Sequence, residues 1–531
     1  MSKTLYFTTP LYYVNAAPHV GHSYTTIAAD SLARYARLKG ERVFLLTGTD
    51  EHGQKIAQAA AAAGKTPPQF VDEGVERFAA LWTMLGIAYD DFIRTTQSRH
   101  THAVQAILTK LHQEGKLIHA TYQGWYCTPD ETFWTEAELS SDGVRVTSPT
   151  CPSCQRPLEP VKEDGWHLPL RPHQDWLLRF IKAHPTFVQP ETRYNEVRSL
   201  LEQPLPESLC ITRPKRRVPW GIPVPFDAHH VTYVWFDALL NYITVPGYPA
   251  DPARFAQLWP ADVHFIGKDI LRHHAVYWPI MLHALGLPDE QMPKTIVAHG
   301  WWKVGEQKMS KSLGNIVDPT VVIHQLLKDQ PYAADVYRYF LLREIPFGQD
   351  GNFSEDALFL RIQADLGNDL GNLVNRTLSM LERYTHGRIP AEQAPGCAVD
   401  DDPLRQAACH LPEAVEAAMA RLSFSTALEA ILRVVSQANR SIETQAPWQL
   451  AKTGSRAQLE TVLRLLAEVL RIVAIMLEPF MPSVAQAVWA QLGCGTTPRR
   501  FADAARWAGL PTGQAIGPHP VLFPRARETT P

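Results

Sequence analysis

Short apolar runs and helical patterns alternate through the first part of the chain. The apolar run at residues 5–7 is followed by apolar positions at helical spacing over residues 23–39, and Gly40 ends that pattern. A second run at residues 43–46 begins another unit, and strand, polar loop and helix repeat to about residue 115. This alternation predicts an α/β fold with a doubly wound parallel sheet of the Rossmann type.

The alternation stops between residues 116 and 225 and then returns. Short strand patterns, frequent prolines and aromatic clusters fill this stretch, which we interpret as an insertion that splits the sheet. Apolar runs at 231–236, 263–266 and 295–297 restore the α/β pattern. From residue 354, leucines near helical spacing predict an all-α, antiparallel helical bundle.

These patterns predict six segments. They are residues 1–115 and 226–300 as the two halves of the Rossmann-type domain, 116–225 as the insertion, 301–353 as a connecting region, 354–510 as the bundle, and 511–531 as a surface tail.

Composition and charge narrow the class of protein. Of the 531 residues, 45% are hydrophobic and 20% are charged, as in ordinary globular proteins, and no apolar run reaches the length of a membrane span. The pattern of the first residues is not that of a targeting segment, so we expect a cytoplasmic protein. Because the net charge is −3, contacts with nucleic acid would have to come from local basic patches.

Two histidines, His19 and His22, follow the first predicted strand and precede the first predicted helix. Ligands bind at the carboxyl ends of parallel strands, and a helix N-terminus attracts anions, so imidazoles there can donate hydrogen bonds to phosphate oxygens. An isolated His-x-Gly-His pair is more often a loop without chemistry. However, Lys308 and Lys311, within Lys-Met-Ser-Lys-Ser, supply a second cationic signature suited to pyrophosphate.

Polar residues follow two further predicted strands. Asp50 and His52 lie just beyond the second strand, where they could hold a substrate ammonium or a ribose, although Asp50 could instead cap the next helix. Gly267 and Asp269 follow a later strand, where a glycine lets the backbone approach a ribose and a carboxylate accepts from its hydroxyls.

Four residues of the insertion have the spacing of a metal knuckle: Cys127, Asp130, Cys151 and Cys154. Structural zinc takes four donors in a tetrahedron, usually thiolates and imidazoles. A carboxylate at one position is less typical, so the sequence leaves open both a zinc site and a knuckle that has lost its metal.

Other residues have both a packing and a binding interpretation. Trp235, Ala238 and Tyr242 would share one helix face, where packing in the core could also explain them. Asn372 and Arg376 lie one helical turn apart in the bundle and would share a face there. Trp448 stands at a helix boundary, where a nucleic-acid base could stack on it or where it could belong to the core. The basic stretch 211–223 could contact phosphates or form a solvated loop.

The His-x-Gly-His motif at residues 19–22 and the Lys-Met-Ser-Lys-Ser motif at residues 308–312, in this order and context, are similar to the signature pair of class I aminoacyl-tRNA synthetases. Within that class the sequence resembles the methionyl-tRNA synthetase family, through residues 12–15 and 47–53, the stretch 213–223, and residues 235–242 and 446–448. The resemblance runs from residue 4 to the end of the bundle, and it is to the compact bacterial form without an appended C-terminal tRNA-binding domain.

The resemblance implies ATP-dependent activation of L-methionine to methionyl-adenylate, with Mg²⁺ accompanying ATP, and transfer to the 3′ end of tRNA(Met), including the initiator tRNA. By resemblance, the catalytic residues are His19, His22, Lys308 and Lys311, which bind ATP together with Gly267 and Asp269. The implied methionine-binding residues are Leu11, Tyr13, Asp50, Trp235, Ala238, Tyr242, Ile270 and His274. The implied anticodon-binding residues are Asn372, Arg376 and Trp448, and segment 301–353 would contact the tRNA stem.

Two other interpretations stay open. One is a different class I synthetase, which the pocket residues and the short insertion disfavour. The other is a tRNA-binding protein without activity, although a pure binder would need neither His19 and His22 nor Lys308 and Lys311. We further expect a monomer without a membrane partner.

Overall fold

The structure is a computed structural model, and it describes residues 3–139, 148–305, 307–308, 316–392, 402–495 and 499–524. The chain divides into two compact units. The first unit comprises Met1–Pro18, Val43–Trp82 and Tyr89–His299, and the second comprises His19–Arg42, Thr83–Ala88 and Gly300–Pro531. The six-segment division predicted from the sequence remains a prediction.

The described residues form the following strands and helices. The strands are β1 (Leu5–Tyr13), β2 (Val43–Asp50), β3 (Asp91–Arg94), β4 (Ile118–Cys127), β5 (Thr132–Trp134), β6 (Glu159–Pro169), β7 (Val188–Gln189), β8 (Ser208–Cys210), β9 (Thr212–Pro214), β10 (Pro223–Val224), β11 (Asp227–Thr232), β12 (Val263–Gly267), β13 (Ile296–His299), β14 (Trp302–Val304), β15 (Gln307–Lys308) and β16 (Gly351–Asn352). The helices are α1 (Val20–Leu38), α2 (Gln54–Ala62), α3 (Pro67–Met84), α4 (Ser98–Gln113), α5 (Glu136–Leu139), α6 (Arg171–Ala183), α7 (Glu191–Leu201), α8 (Val234–Thr244), α9 (Pro252–Leu258), α10 (Trp278–Ala284), α11 (Pro319–Val321), α12 (Ala333–Glu344), α13 (Glu355–Arg361), α14 (Asn372–Thr385), α15 (Pro403–Met419), α16 (Phe424–Gln445), α17 (Pro447–Thr453), α18 (Arg456–Leu477), α19 (Pro482–Gln491) and α20 (Phe501–Ala504). The π-helical stretches are His273–Tyr277, Val322–Leu326 and Ile362–Gly371, and the 3₁₀ turns are Lys268–Ile270 and Asp289–Gln291.

The first unit is built on a six-stranded sheet in the order β3-β2-β1-β12-β13-β7. Every neighbouring pair in it is parallel, which confirms the predicted doubly wound α/β fold. Strand order reverses on either side of β1, and ligands bind at the carboxyl ends of strands beside such a reversal. In β2, a side chain at Gly48 would lie 2.0 Å from the carbonyl oxygen of Ile93, so only glycine allows β3 to pair so closely.

The insertion forms a separate antiparallel sheet in the order β5-β4-β6-β8. Its longest ladder joins β4 and β6, from Ile118 opposite His167 to Tyr126 opposite Glu159. The insertion also provides β7, which pairs with β13 at the edge of the main sheet. The sequence did not predict that second role, because two residues are too few for a pattern.

The second unit contains the helical bundle, as the sequence predicted. Helices α16 and α18 are its longest members, with 22 residues each. Apolar residues of α18, such as Leu466 and Val473, are fully buried, so this helix lies in the middle of the bundle core. In the described part of the chain, no helix has both the length and the apolarity that crossing a bilayer requires.

A buried charged triad on α18 fastens the C-terminal segment to the bundle. Arg464 and Arg471 both pair with Glu468, at 2.9 and 2.6 Å. The same carboxylate accepts hydrogen bonds from the N–H groups of Gly509 and Leu510, at 3.1 and 2.8 Å. Because each charge has several partners, the triad can remain buried, which a lone ion could not.

Candidate active site

Asp50 ends β2 at the carboxyl edge of the main sheet, opposite Tyr13 of β1. It is buried, and the N–H of His52 donates to its carboxylate. Its Oδ1 atom has no hydrogen-bond partner among the residues that the structure describes. Gly53, not Asp50, stands at the N-terminus of α2, so the capping alternative is wrong.

The surroundings of Asp50 favour a bound cation. Burial, followed by the nearby carboxylates of Asp237, Glu131 and Glu51, raises its pKa well above the ordinary value. A positive group beside Oδ1 would supply the missing partner and favour the ionised form. A buried carboxylate with an open oxygen is therefore a good receptor for an ammonium group.

The ring of His274 is fixed in one tautomer by two hydrogen bonds. Its Nδ1 atom lies 3.0 Å from the carbonyl oxygen of Ile270, which can only accept, so Nδ1 carries the proton. Nε2 then accepts from the hydroxyl of Tyr242 at 2.9 Å. Burial lowers the pKa of His274 to about 4, so the ring is neutral at pH 7.

Helix α8 and strand β1 contribute further apolar surface. The indole of Trp235 stacks on His273 with ring centroids 3.9 Å apart, and its Nε1 donates to the carbonyl of Asp130 at 3.3 Å. Ala238 is buried on the same helix. Tyr13, Trp235, Leu11 and Ile270 are half-buried and pack against the core of the unit. All eight residues predicted for methionine lie in the first unit: Leu11, Tyr13, Asp50, Trp235, Ala238, Tyr242, Ile270 and His274.

Glu131 contacts Tyr13, one of the residues predicted to bind methionine, and the sequence alone did not point to it. Its Oε1 atom accepts from the N–H of Lys55 at 2.7 Å and lies 3.1 Å from the hydroxyl of Tyr13. Tyr126 donates its hydroxyl to the other carboxylate oxygen. Glu131 has a φ of 51°, which is rare for a residue with a side chain. Its position beside Asp130 was the only signal in the sequence.

Gly267 and Asp269 lie together at the end of β12. A side chain on Gly267 would lie 2.6 Å from Oδ1 of Asp269, so a larger residue there would displace the Asp269 carboxylate. Gly267 also stands opposite His299 in the parallel pairing of β12 with β13. The predicted adenosine residues thus lie at the carboxyl end of a central strand, where the sequence placed them.

In the second unit, His19 and His22 form a capping box at the start of α1. Nδ1 of His19 accepts from the N–H of Gly21, and Nδ1 of His22 accepts from the N–H of His19, both at 3.1 Å. The rings stack with centroids 3.8 Å apart. Because both Nδ1 atoms accept, Nε2 is the N–H donor of each ring. Burial and the neighbouring His19 lower the pKa of His22 well below the ordinary value.

The structure describes the backbone of one of the two lysines in the Lys-Met-Ser-Lys-Ser motif. The backbone of Lys308 belongs to β15 and pairs with Lys303 of β14. Lys311 lies outside the described residues. The roles of both side chains therefore remain predictions.

The four predicted metal ligands converge. Their ligand atoms lie within 4.8 Å of one another, with Sγ of Cys127 and Cys154 3.5 Å apart and Sγ of Cys151 3.2 Å from Oδ2 of Asp130. Ligands of a tetrahedral zinc are separated by about 3.5–3.8 Å, given the usual bond lengths. Hydrogen bonding with Cys151 and Cys154, added to burial, raises the pKa of the Cys127 thiol. A bound cation would allow these groups to ionise together, so the donor set fits a metal.

The predicted base-reading residues also lie together in the bundle. Asn372 and Arg376 are one turn apart on α14, and the guanidinium of Arg376 lies 5.8 Å from the ring centroid of Trp448. Arg376 also pairs with the exposed carboxylate of Glu443 at 2.5 Å. Trp448 is half-buried rather than a core residue, which leaves part of its ring accessible.

Comparison with known proteins identifies the family. The family model described as class I tRNA synthetases (M) matches residues 5–378, and the anticodon-binding domain of tRNA ligases matches residues 407–507. The methionine–tRNA ligase of Caldanaerobacter subterraneus subsp. tengcongensis is 46% identical over 99% of this chain and 79% of its own length. The chain belongs to the methionine–tRNA ligase family.

Other members of the methionine–tRNA ligase family extend this comparison. The enzyme of Rickettsia felis is 43% identical, with 99% of both chains aligned. The structure of Mycobacterium tuberculosis methionyl-tRNA synthetase in complex with methionyl-adenylate superposes with a TM-score of 0.91 at 40% identity, covering 99% of this chain and 100% of that one. The class I assignment predicted from the two motifs and the methionyl-tRNA synthetase family predicted from the further stretches are therefore confirmed, as are the ligase class and the all-helical anticodon-binding fold.

Proposed function

We propose that this protein joins L-methionine to the 3′ end of tRNA(Met), including the initiator tRNA, by way of methionyl-adenylate formed from ATP. The single observation that carries the proposal is Asp50: a buried carboxylate with an open Oδ1 atom, at the carboxyl edge of the sheet. An amino-acid substrate needs such a receptor for its ammonium group. The relatives' enzyme names and the methionyl-adenylate held by the Mycobacterium tuberculosis enzyme support the choice of amino acid.

The methionine side chain would lie against Trp235, Tyr242 and His274, with Leu11, Tyr13, Ala238 and Ile270 completing the pocket. A thioether suits this environment, because sulfur–aromatic contacts contribute about 0.3–1.5 kcal/mol each. The neutral His274, with its tautomer fixed by Ile270 and Tyr242, brings no charge into the pocket.

In the activation step the methionine carboxylate attacks the α-phosphorus of ATP and pyrophosphate leaves. The Nε2–H groups of His19 and His22 would donate to phosphoryl oxygens as negative charge builds on them. Lys308 and Lys311 would hold the leaving pyrophosphate, and Gly267 and Asp269 would bind the ribose. Mg²⁺ bound with ATP supplies further charge neutralisation.

Recognition of tRNA would rest on the bundle. Asn372, Arg376 and Trp448 would read the anticodon, with a base stacked on the accessible part of the indole. Zn²⁺ would be held as a structural ion by Cys127, Asp130, Cys151 and Cys154, whose donor set fits it. We further propose a monomer that acts in the cytoplasm, where translation takes place.

The test is amino-acid-dependent exchange of pyrophosphate into ATP, measured with each of the twenty amino acids. We expect exchange with methionine and charging of tRNA(Met) by the same preparation. Exchange with isoleucine alone would instead favour another class I synthetase. Absence of exchange with every amino acid, together with retained binding of tRNA, would show a tRNA-binding protein without activity.

A further inference from the structure

Asp237 is a fully buried carboxylate on α8, and it is the only charged residue of that helix. Two histidine rings contact its two oxygens. Nδ1 of His52 lies 2.7 Å from Oδ2, and Nε2 of His100 lies 2.8 Å from Oδ1. An ionised carboxylate can only accept, so both ring nitrogens donate to it. Sequence patterns gave no sign of this cluster, because His52 and Asp237 are 185 positions apart.

His52 also holds two groups of the proposed methionine pocket with its main chain. Its N–H donates to the carboxylate of Asp50, and its carbonyl accepts the hydroxyl of Tyr13 at 2.8 Å. The next residue, Gly53, has a φ of +106°, and a side chain there would lie 2.6 Å from the hydroxyl oxygen of Tyr13. The peptide of His52 therefore has to keep one orientation for Asp50 and Tyr13 to keep theirs.

The ring of His52 fixes that peptide in place through its hydrogen bond to Asp237. Its bond to Asp237 joins the loop after β2 to α8, the helix that also carries Trp235, Ala238 and Tyr242. His100 holds Asp237 from the other side, and its Nδ1 atom lies 2.8 Å from Oγ1 of Thr244 near the end of α8. The loop after β2 and helix α8, which would both line the methionine pocket, are thereby linked through the carboxylate of Asp237.

The charge state of the cluster agrees with this arrangement. Burial alone would raise the pKa of Asp237, but His52 and His100 outweigh it and hold the pKa below the ordinary value. Asp237 is thus ionised at neutral pH and accepts from both rings at once. Removing it would leave two buried N–H donors without a partner.

We propose that Asp237 is a positioning residue for amino-acid recognition, which acts through His52 to orient Asp50 and Tyr13. This inference rests on the proposed function and deepens it. It assigns a role in binding methionine to a residue that would not touch methionine itself.

The test measures KM for methionine and KM for ATP separately in pyrophosphate exchange. Asp237→Ala should raise KM for methionine at least tenfold and leave KM for ATP within a factor of two. Asp237→Asn should recover most of the loss, because its carbonyl oxygen can still accept from Nδ1 of His52. Equal loss in both variants would show that the charge, not the hydrogen bond, matters and would overturn the positioning role.

The matched control is Asp262→Ala, which removes another buried carboxylate of the same unit. Asp262 accepts from the N–H of Tyr6 at 2.8 Å and pairs with Lys294 at 2.5 Å. This variant should lose stability in thermal unfolding without a selective change in KM for methionine. A similar rise in KM for methionine in the control would reduce Asp237 to a structural role and reject the inference.

Two further outcomes separate this inference from the proposed function. If wild-type protein shows no exchange with methionine, the proposed function fails. If the wild type is active and the KM values of Asp237→Ala are unchanged, only the inference fails. Should Asp237→Ala not fold, His52→Ala removes the same bond from the other side and should give the same selective rise, and equilibrium dialysis of methionine without ATP reports it independently of turnover.

Discussion

The hydroxyl of Tyr242 donates to Nε2 of His274 at 2.9 Å, and the other ring nitrogen is occupied by the carbonyl of Ile270. Tyr242→Phe would remove the donor and leave a buried acceptor unpaired, at a cost of about 1–2 kcal/mol. We expect KM for methionine to rise roughly 5- to 30-fold with KM for ATP unchanged. The exchange assay checks both constants, and an unchanged KM for methionine would exclude this pair from the pocket.

Acid should destabilise the first unit because His274 is held neutral. Its pKa is about 4 when folded, against 6.5 for an ordinary histidine, so the unfolded chain binds a proton between these values that the folded chain does not. The stabilisation is complete above pH 6.5 and is lost as the pH falls to about 4, by roughly 3 kcal/mol for this residue. Urea unfolding at several pH values measures how steeply the free energy of unfolding changes with pH. The variant His274→Asn should show a weaker dependence on pH.

His19 caps helix α1 and would also bind a phosphate oxygen, and one pair of variants can separate these two roles. His19→Ala should lose the helix cap, worth about 1 kcal/mol, together with exchange activity. His19→Asn should restore the cap, because an asparagine side chain accepts well at that position, but it lacks the Nε2–H donor and should stay inactive. Thermal unfolding and exchange measured on the same samples decide the matter, and an active His19→Asn would contradict the phosphate role.

Trp448→Ala should weaken tRNA charging and spare methionine activation. Loss of one base stack costs about 1–3 kcal/mol, so kcat/KM for tRNA(Met) should fall roughly 5- to 150-fold. Glu443→Gln is the companion variant, since it frees Arg376 from its ion pair and should not weaken charging. Equal charging by wild type and Trp448→Ala would place the anticodon contact elsewhere.

The metal cluster predicts roughly one zinc ion per chain in protein purified without chelator. Asp130→Cys would complete a four-thiolate set, which zinc prefers, and should slow zinc release to a chromogenic chelator. Cys154→Ser should accelerate release. Metal analysis that finds no zinc in the wild type would reject the site, whatever the variants show.

The main sheet was predictable because its strands are buried and therefore appear as apolar runs between helical patterns. The pairing of β7 with β13 was not, since Val188 and Gln189 are too few to form a pattern. The helical pattern near Leu366 and Leu370 was read correctly as helix, yet it gave no sign of the wider π-helical turn that the segment adopts. The spacing of apolar residues is compatible with both an α-helix and a π-helix.

Many residues of the candidate site could be predicted from the sequence because they stand in compact motifs. His19 and His22 are three positions apart, and Asp50 and His52 are two apart, so each group is visible in the sequence alone. Glu131 and Asp237 were missed because their partners lie on other elements, and only folding brings Tyr13 to the first and His100 to the second. The side chains of Lys308 and Lys311 remain predictions.

The charged triad of α18 sets a limit on how far the chain can be shortened. Arg471 donates to the carbonyl of Asp503, and Glu468 accepts from Gly509 and Leu510. A version cut after residue 495 would keep α14 to α19 but would remove main-chain partners of three buried ions, since Arg464 also donates to the carbonyl of Leu510. Each lost partner would cost about 1–3 kcal/mol or more. For protein engineering, the end of the last long helix is therefore the wrong place to shorten the chain. Residues after it, up to Pro524, also accept or donate main-chain hydrogen bonds with the rest of the second unit, so an affinity tag should follow them.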